Sequence, residues 1–201
     1  MKTIFAAFIL IPSLWLSQAA SSDGYRKIPE ILDNTDYLYP FIIPDKKYEY
    51  WAALRKDEKD PLYESQAPLS MGMTDLPSPE QGFFRKCPAG CFSYIIACRS
   101  NQPEYFTNEL LLRDFIGYVD NLPEALLIAN TYGFFSDSKD PAGGSYKIEN
   151  DFILMCLAKV KDCPETKESF WIRINRKNGQ LESRSNGIYH QSNGNCTGTS
   201  P

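Results

Sequence analysis

The chain carries a single histidine, His190, among 201 residues. Serine and cysteine nucleophiles generally need a histidine held beside them by packing. His190 lies in a stretch rich in Gly, Ser, Asn and Thr that promises no such rigidity. A Gly-x-Ser-x-Gly elbow is also missing, so a histidine-assisted hydrolase is excluded. Positive charge is short as well: 21 Lys and Arg against 25 Asp and Glu leave a formal charge of −4. A mildly acidic surface has no electrostatic drive toward nucleic acid or anionic lipid, so neither is expected as a partner. No glycine-rich phosphate loop occurs, Gly143-Gly144 alone being too little, and there is no internal repeat. These absences imply no cofactor.

Long apolar runs are confined to the start. Lys2 precedes an almost wholly apolar stretch over residues 4–16, and Ser17, Gln18, Ala19 and Ala20 follow. Such a run falls short of the roughly 20 residues that span a bilayer. With small residues after it, it fits a secretory signal peptide over residues 1–20 that is cut near Ala19 or Ala20. A secreted or periplasmic protein is therefore expected, with no membrane span once the leader is gone.

Cysteine is absent before position 87 and then appears six times: Cys87, Cys91, Cys98, Cys156, Cys163 and Cys196. An even count in an exported chain makes all six disulfide candidates, in fifteen conceivable pairings. Cys98 and Cys156 sit inside apolar runs, where a small buried thiol is equally at home. Three thiols at 87, 91 and 98 have zinc-like spacing, but oxidation is the commoner fate outside the cytosol, so no metal site is expected. Cys87-Pro-Ala-Gly-Cys91 has one residue too many for a redox Cys-x-x-Cys and reads as a structural turn. Asn195-Cys196-Thr197 matches the N-glycosylation triplet, a weak signal at Asn195.

What is present divides the chain at residues 20, 80 and 184. Residues 21–80 hold seven prolines and eight aromatics. Prolines break long elements, whereas disordered segments are poor in aromatics. An irregular, aromatic-rich N-terminal arm packed on the later domain follows, with one short helix after Asp45 through Tyr48, Trp51, Ala52 and Arg55. Tyr48, Tyr50, Trp51 and, from the later domain, Trp171 are candidate surface-binding aromatics.

Residues 81–184 carry the fold. A buried strand is expected over 92–97, from its aromatic and β-branched content. Residues 109–119 satisfy both periods and are assigned to a strand. The clearest helix is 122–132, capped by Asp120 or Asn121, with Pro123 in its first turn and Gly133 at its end. A hairpin follows over 145–149 and 152–160, then a strand over 168–175, an Asn178-Gly179 turn and a short return strand over 180–183. Leu126, Phe152, Leu154, Phe170, Ile172 and Ile174 are the expected core. Residues 185–201 read as a flexible tail.

Paired acids remain the one catalytic resource, and Asp114, Asp120, Glu124, Asp137, Asp140, Glu149 and Asp151 are the candidates. Asp120 and Glu124 have an ordinary role beside a helix N-terminus. Asp137 and Asp140 lie in a loop without the acid spacing of an EF-hand.

The run Pro-Glu-Ala-Leu-Leu-Ile-Ala from Pro123, Gly-Gly-Ser-Tyr-Lys from Gly143, the apolar strand from Phe152 and Phe-Trp-Ile-Arg-Ile-Asn-Arg-Lys-Asn-Gly from Phe170 resembles, over residues 122–183, the PepSY-like modules of secreted bacterial proteins. It is also similar to small exported bacterial proteins of unknown function. Asn175 stands where that family's last strand usually carries an acid. The resemblance implies a module that binds a protein or peptide partner in the cell envelope or outside the cell, and it supplies no catalytic residue. The expected fold class is α+β: an antiparallel β-sheet with one main packed helix under the aromatic arm. The expected function is a non-catalytic binding or interaction module. A carboxylate-based hydrolase and a structural cell-envelope protein are the alternatives.

Overall fold

The computed structural model describes residues 24–56, 58–65, 76–84, 91–100 and 102–192. Within them the chain forms strands β1 (Arg26–Lys27), β2 (Tyr50–Arg55), β3 (Tyr63–Glu64), β4 (Ser93–Arg99), β5 (Gln102–Phe106), β6 (Gly144–Ile148), β7 (Phe152–Asp162), β8 (Glu165–Asn175) and β9 (Leu181–Gln191). Two α-helices, α1 (Glu109–Ile116) and α2 (Leu122–Thr131), lie between β5 and β6. The strands make two antiparallel sheets, ordered β1-β6-β7-β8-β9 and β3-β2-β4-β5, so the fold is α+β with two sheets where one was expected.

Local chemistry explains α2 well. Asn121 accepts from the Glu124 N–H at 3.0 Å while Glu124 accepts from the Asn121 N–H, a reciprocal capping box. Gly133, at φ +78°, follows the helix. Residues 122–130 are all buried, so α2 has no solvent face and is a core helix. One contiguous cluster joins it to both sheets, through Ile95 and Ala97 of β4 and Ile153, Met155, Leu157, Ile172 and Ile174 of β7 and β8.

Several expectations are overturned, each for a physical reason. The helix expected after Asp45 is strand β2, paired with β4 from Tyr50↔Cys98 to Arg55↔Ser93. Trp51 and Ala53 alternate into the core there, and the ladder overrides local helical spacing. Residues 109–116 are helix, not strand. The Asn108 side chain caps the Leu111 N–H at 3.0 Å, and Leu112, Phe115 and Ile116 form one buried face. On β7 the clustered core face is Ile153, Met155 and Leu157; the face chosen from sequence is its opposite, on which Leu154 is nonetheless buried as expected. Leu126, Ile172 and Ile174 are core as expected, and Phe170 packs at its margin. Phe152 instead lies under the Arg173 guanidinium at 3.5 Å, a cation–π contact on the other face. The return strand does not stop at 183. β9 runs on to Gln191, opposite Thr166 of β8, through residues assigned to a flexible tail. An edge strand exposed on both faces needs backbone pairing but no apolar alternation, so its polar sequence hides it.

Candidate functional site

Between β1 and β2 the chain forms a strap of three short 3-10 turns, Glu30–Asp33, Thr35–Tyr37 and Tyr39–Phe41. Pro29, Pro40 and Pro44 keep it from becoming a long helix. Its apolar residues split by direction. Ile28, Leu32, Leu38, Tyr39 and Ile42 enter the core. Ile31, Tyr37, Phe41 and Ile43 stay 59%, 52%, 50% and 56% exposed.

Asp33, Thr35 and Asp36 of the strap turn toward the protein instead, while Glu30 and Asn34 stay exposed. Asp33 accepts from the hydroxyls of Ser136 and Ser138, the latter at 2.7 Å. Thr35 Oγ1 stands 2.9 Å from the side-chain amide of Asn130 on α2. Asp36 accepts from one guanidinium nitrogen of Arg55 of β2, Nη2, through both its oxygens at 2.7 and 2.8 Å. Asn121 Nδ2 donates to the Phe41 carbonyl at 2.9 Å, and the Ile43 N–H donates to Glu124 Oε1 at 2.7 Å. A shallow concavity of about 640 Å³ runs along Ile31, Tyr37 and Lys139.

Glu124 is fully buried. Its Oε2 accepts from the N–H groups of Asp120 at 2.6 Å and Asn121 at 3.3 Å. Burial pushes its carboxyl up to about 7, and the three N–H donors pull back only part of the way. Sequence reasoning gave Glu124 the ordinary role of a helix-start acid. The Asn121-x-x-Glu124 spacing was the available signal for the capping box, but nothing local reveals the bond to Ile43.

The other acids are occupied. Asp137 binds Lys167 Nζ at 2.8 Å and the Tyr189 hydroxyl at 3.0 Å. Burial alone would raise its carboxyl, but these two donors hold it below the usual carboxylate range. Asp140 caps the Ala142 N–H. A cleft of about 480 Å³ lies between the starts of α1 and the end of α2, with Phe83, Phe84 and Phe135 in its walls and Glu109 as the acid in its lining. A second, of about 290 Å³, holds Asp36 and Glu58, both ion-paired to Arg55, whose guanidinium is raised by them. Among the described residues no group of three or more His, Cys, Asp or Glu could hold a metal, and no helix is long and apolar enough to cross a membrane.

The four aromatics singled out from sequence do not share a surface. Trp51 is buried between Tyr63 and Phe115, because the strand turns it inward. Tyr48 is half-buried against Phe106 and Phe115, and Tyr50 is half-buried on β2. Trp171 is 40% exposed on the other sheet, its Nε1–H donating to the Tyr25 hydroxyl at 2.8 Å. His190 is exposed on β9, opposite Lys167. Cys98 is buried and Cys156 half-buried, and neither is in a disulfide. Burial pushes the Cys98 thiol up, so it is a poor nucleophile. Residues 1–20, Cys87, Asn195 and Cys196 lie outside the described residues.

No family model, no curated protein and no solved structure matches this chain.

Proposed function

We propose that the protein is an extracytoplasmic binding module that docks a protein or peptide partner on its N-terminal strap. The carrying observation is the inverted strap. Four large apolar side chains point to solvent from a segment in which Asp33, Thr35 and Asp36 are turned inward as anchors. Exposed apolar side chains on a pinned backbone lose little conformational freedom on binding, which favours association. The leader over residues 1–20 supports an extracytoplasmic setting. So does the even count of six cysteines, all after residue 86. The resemblance of residues 122–183 to PepSY-like modules points to the same class of function.

A carboxylate hydrolase would need two acids converging in one cleft. The cleft of about 480 Å³ offers Glu109, and the one of about 290 Å³ offers two acids already neutralised by Arg55.

The test is affinity capture with purified protein from the secreted and envelope fractions, followed by titration of the captured partner. The variant Ile31→Ser, Tyr37→Ser, Phe41→Ser, Ile43→Ser is expected to lose at least tenfold in Kd while keeping the wild-type unfolding curve. Equal affinity in that variant would remove the strap from the function.

A further inference from the structure

The five-stranded sheet has an outer face, opposite the one that packs on α2, and that face carries a transverse row of side chains. Residues directly opposite one another in a ladder share a face. The registers Lys27↔Ser145, Ser145↔Cys156, Cys156↔Trp171 and Trp171↔Arg184 set these five side by side across all five strands. At the usual strand spacing Lys27 and Arg184 stand about 19 Å apart along the row. Trp171 lies between them, 40% exposed, and its Nε1–H donates to the Tyr25 hydroxyl at 2.8 Å. The bond holds the indole in one orientation, so a ligand that stacks on it need not order the ring.

The row is a ledge. On one side the loop of residues 137–143 is fastened down over the sheet, Ser145 Oγ donating to the Pro141 carbonyl at 2.7 Å and Ser169 Oγ to the Ala142 carbonyl. On the other side runs the row Lys147, Leu154, Arg173 and Glu182. Its charges are matched: Lys147 pairs with Glu149 at 2.9 Å and Arg173 with Glu182 at 3.3 Å. Lys27 and Arg184 are exposed and, among the described residues, have no ion-pair partner. The charge left over on these two rows is therefore positive, on a chain whose formal charge is −4.

We infer that this face binds an acidic polysaccharide, with a sugar ring stacked on Trp171 and the carboxylate or sulfate groups of the chain met by Arg184 and Lys27. An indole presents an apolar face with a polar rim, which matches a pyranose ring with its C–H face and hydroxyl edge. A guanidinium binds carboxylate or sulfate through paired N–H donors. A flat, strand-built surface lacks the grooves and pockets by which peptide side chains are read. Two unpaired cations are few for the charge density of a nucleic acid. The site shares no residue with the strap and goes beyond its docking role.

Titration calorimetry of the purified protein with polygalacturonate, heparin and dextran tests the assignment. Saturable binding of at least one of the two polyanions is expected, with none of the neutral dextran, and the polyanion that binds separates carboxylate from sulfate recognition. Trp171→Ala should weaken binding by about tenfold, the size of one aromatic contact. Arg184→Glu, an exposed change on an edge strand, should weaken it by about as much and flatten its salt dependence; it carries the test should Trp171→Ala not fold. Silence with both polyanions, or unchanged affinity in either folded variant, would overturn the site. Equal affinity for poly-glutamate or for an oligo-thymidylate would show attraction by charge alone and overturn it too. The strap variant is expected to bind the polyanion as the wild type does, which keeps this site distinct from docking on the strap. Loss of binding in that variant would move the site to the strap.

Discussion

Asp137 shows how much one side chain can be asked to do. It is 14% exposed, and it receives Lys167 at 2.8 Å and Tyr189 at 3.0 Å. Its folded carboxyl is held below its ordinary 3.8, whereas the unfolded chain has no such partners. Its contribution to stability is therefore present above that ordinary value and is lost as pH falls through the lower, folded one. Asp137→Asn is expected to destabilise the protein by roughly 1.5–3 kcal/mol at pH 7, the range for hydrogen bonds to charged groups. The difference from wild type should shrink in urea titrations taken below pH 4. Tyr189 responds in the opposite sense: burial and the adjacent carboxylate both raise its hydroxyl. Lys167 is raised as well, by the same carboxylate. The three groups form a settled ion cluster, with no activated nucleophile among them. Sequence placed Asp137 in a loop and His190 in a tail. Neither the loop nor the tail could be joined to β8 without knowing that β9 exists.

At the scale of elements, the cluster depends on two irregularities. β9 shifts register against β8 between Lys167 and Glu168 and again between Ser169 and Phe170. Bulges re-aim side chains, and here Tyr189, unpaired in the ladder, reaches the loop of Asp137. They also roughen an edge that would otherwise offer eleven consecutive residues for unwanted pairing. The loop closes onto β6 at Gly144, where an added Cβ would meet the Asp137 carbonyl at 2.3 Å and the Ser138 Cα at 2.6 Å. Both obstacles are backbone and cannot swing aside. Gly144→Ala is accordingly expected to cost about 1–3 kcal/mol, as overpacking does, seen as a lower urea midpoint with unchanged slope. Gly133, with open space around it, carries no such clash. The glycine pair was visible in the sequence only as a loop marker. What demands glycine at 144 is the carbonyl of a residue seven positions earlier, which comes close only when the loop folds back.

At the scale of the molecule, one apolar cluster runs from Trp51 and Ile95 on one sheet through α2 to Ile153 and Ile172 on the other. A shared core predicts shared cooperativity. Ile172→Ala, on the five-stranded sheet, is expected to destabilise by about 2–5 kcal/mol. Trp51 fluorescence, read in a Trp15→Phe, Trp171→Phe background so that it reports on the four-stranded sheet, should shift its urea midpoint as far as far-UV circular dichroism does. Two separated transitions would mean that the sheets unfold independently. Leu154→Ala, on the opposite face of β7 from this cluster, should cost less than Ile172→Ala in the same titration.

Some of this was decided by the chain alone. The polar cap at Asn121 and the apolar run after it mark α2 as a helix locally, since the cap acts within a single turn. The alternation through Phe170, Ile172 and Ile174 and the Asn178-Gly179 turn, with Gly179 at φ +64°, likewise define β8 and its reversal locally. Tertiary structure decided whatever depended on a distant neighbour. It made 50–55 a strand by supplying β4 as a partner, and it chose the inner face of β7 by placing α2 against Ile153, Met155 and Leu157. It also extended β9 along β8 and left Ile31, Tyr37, Phe41 and Ile43 in water while seating Ile43 on a buried acid. Local periodicity reports how a segment is patterned, but which side of it meets protein is set by long-range burial, and that information is spread over residues far apart in the chain.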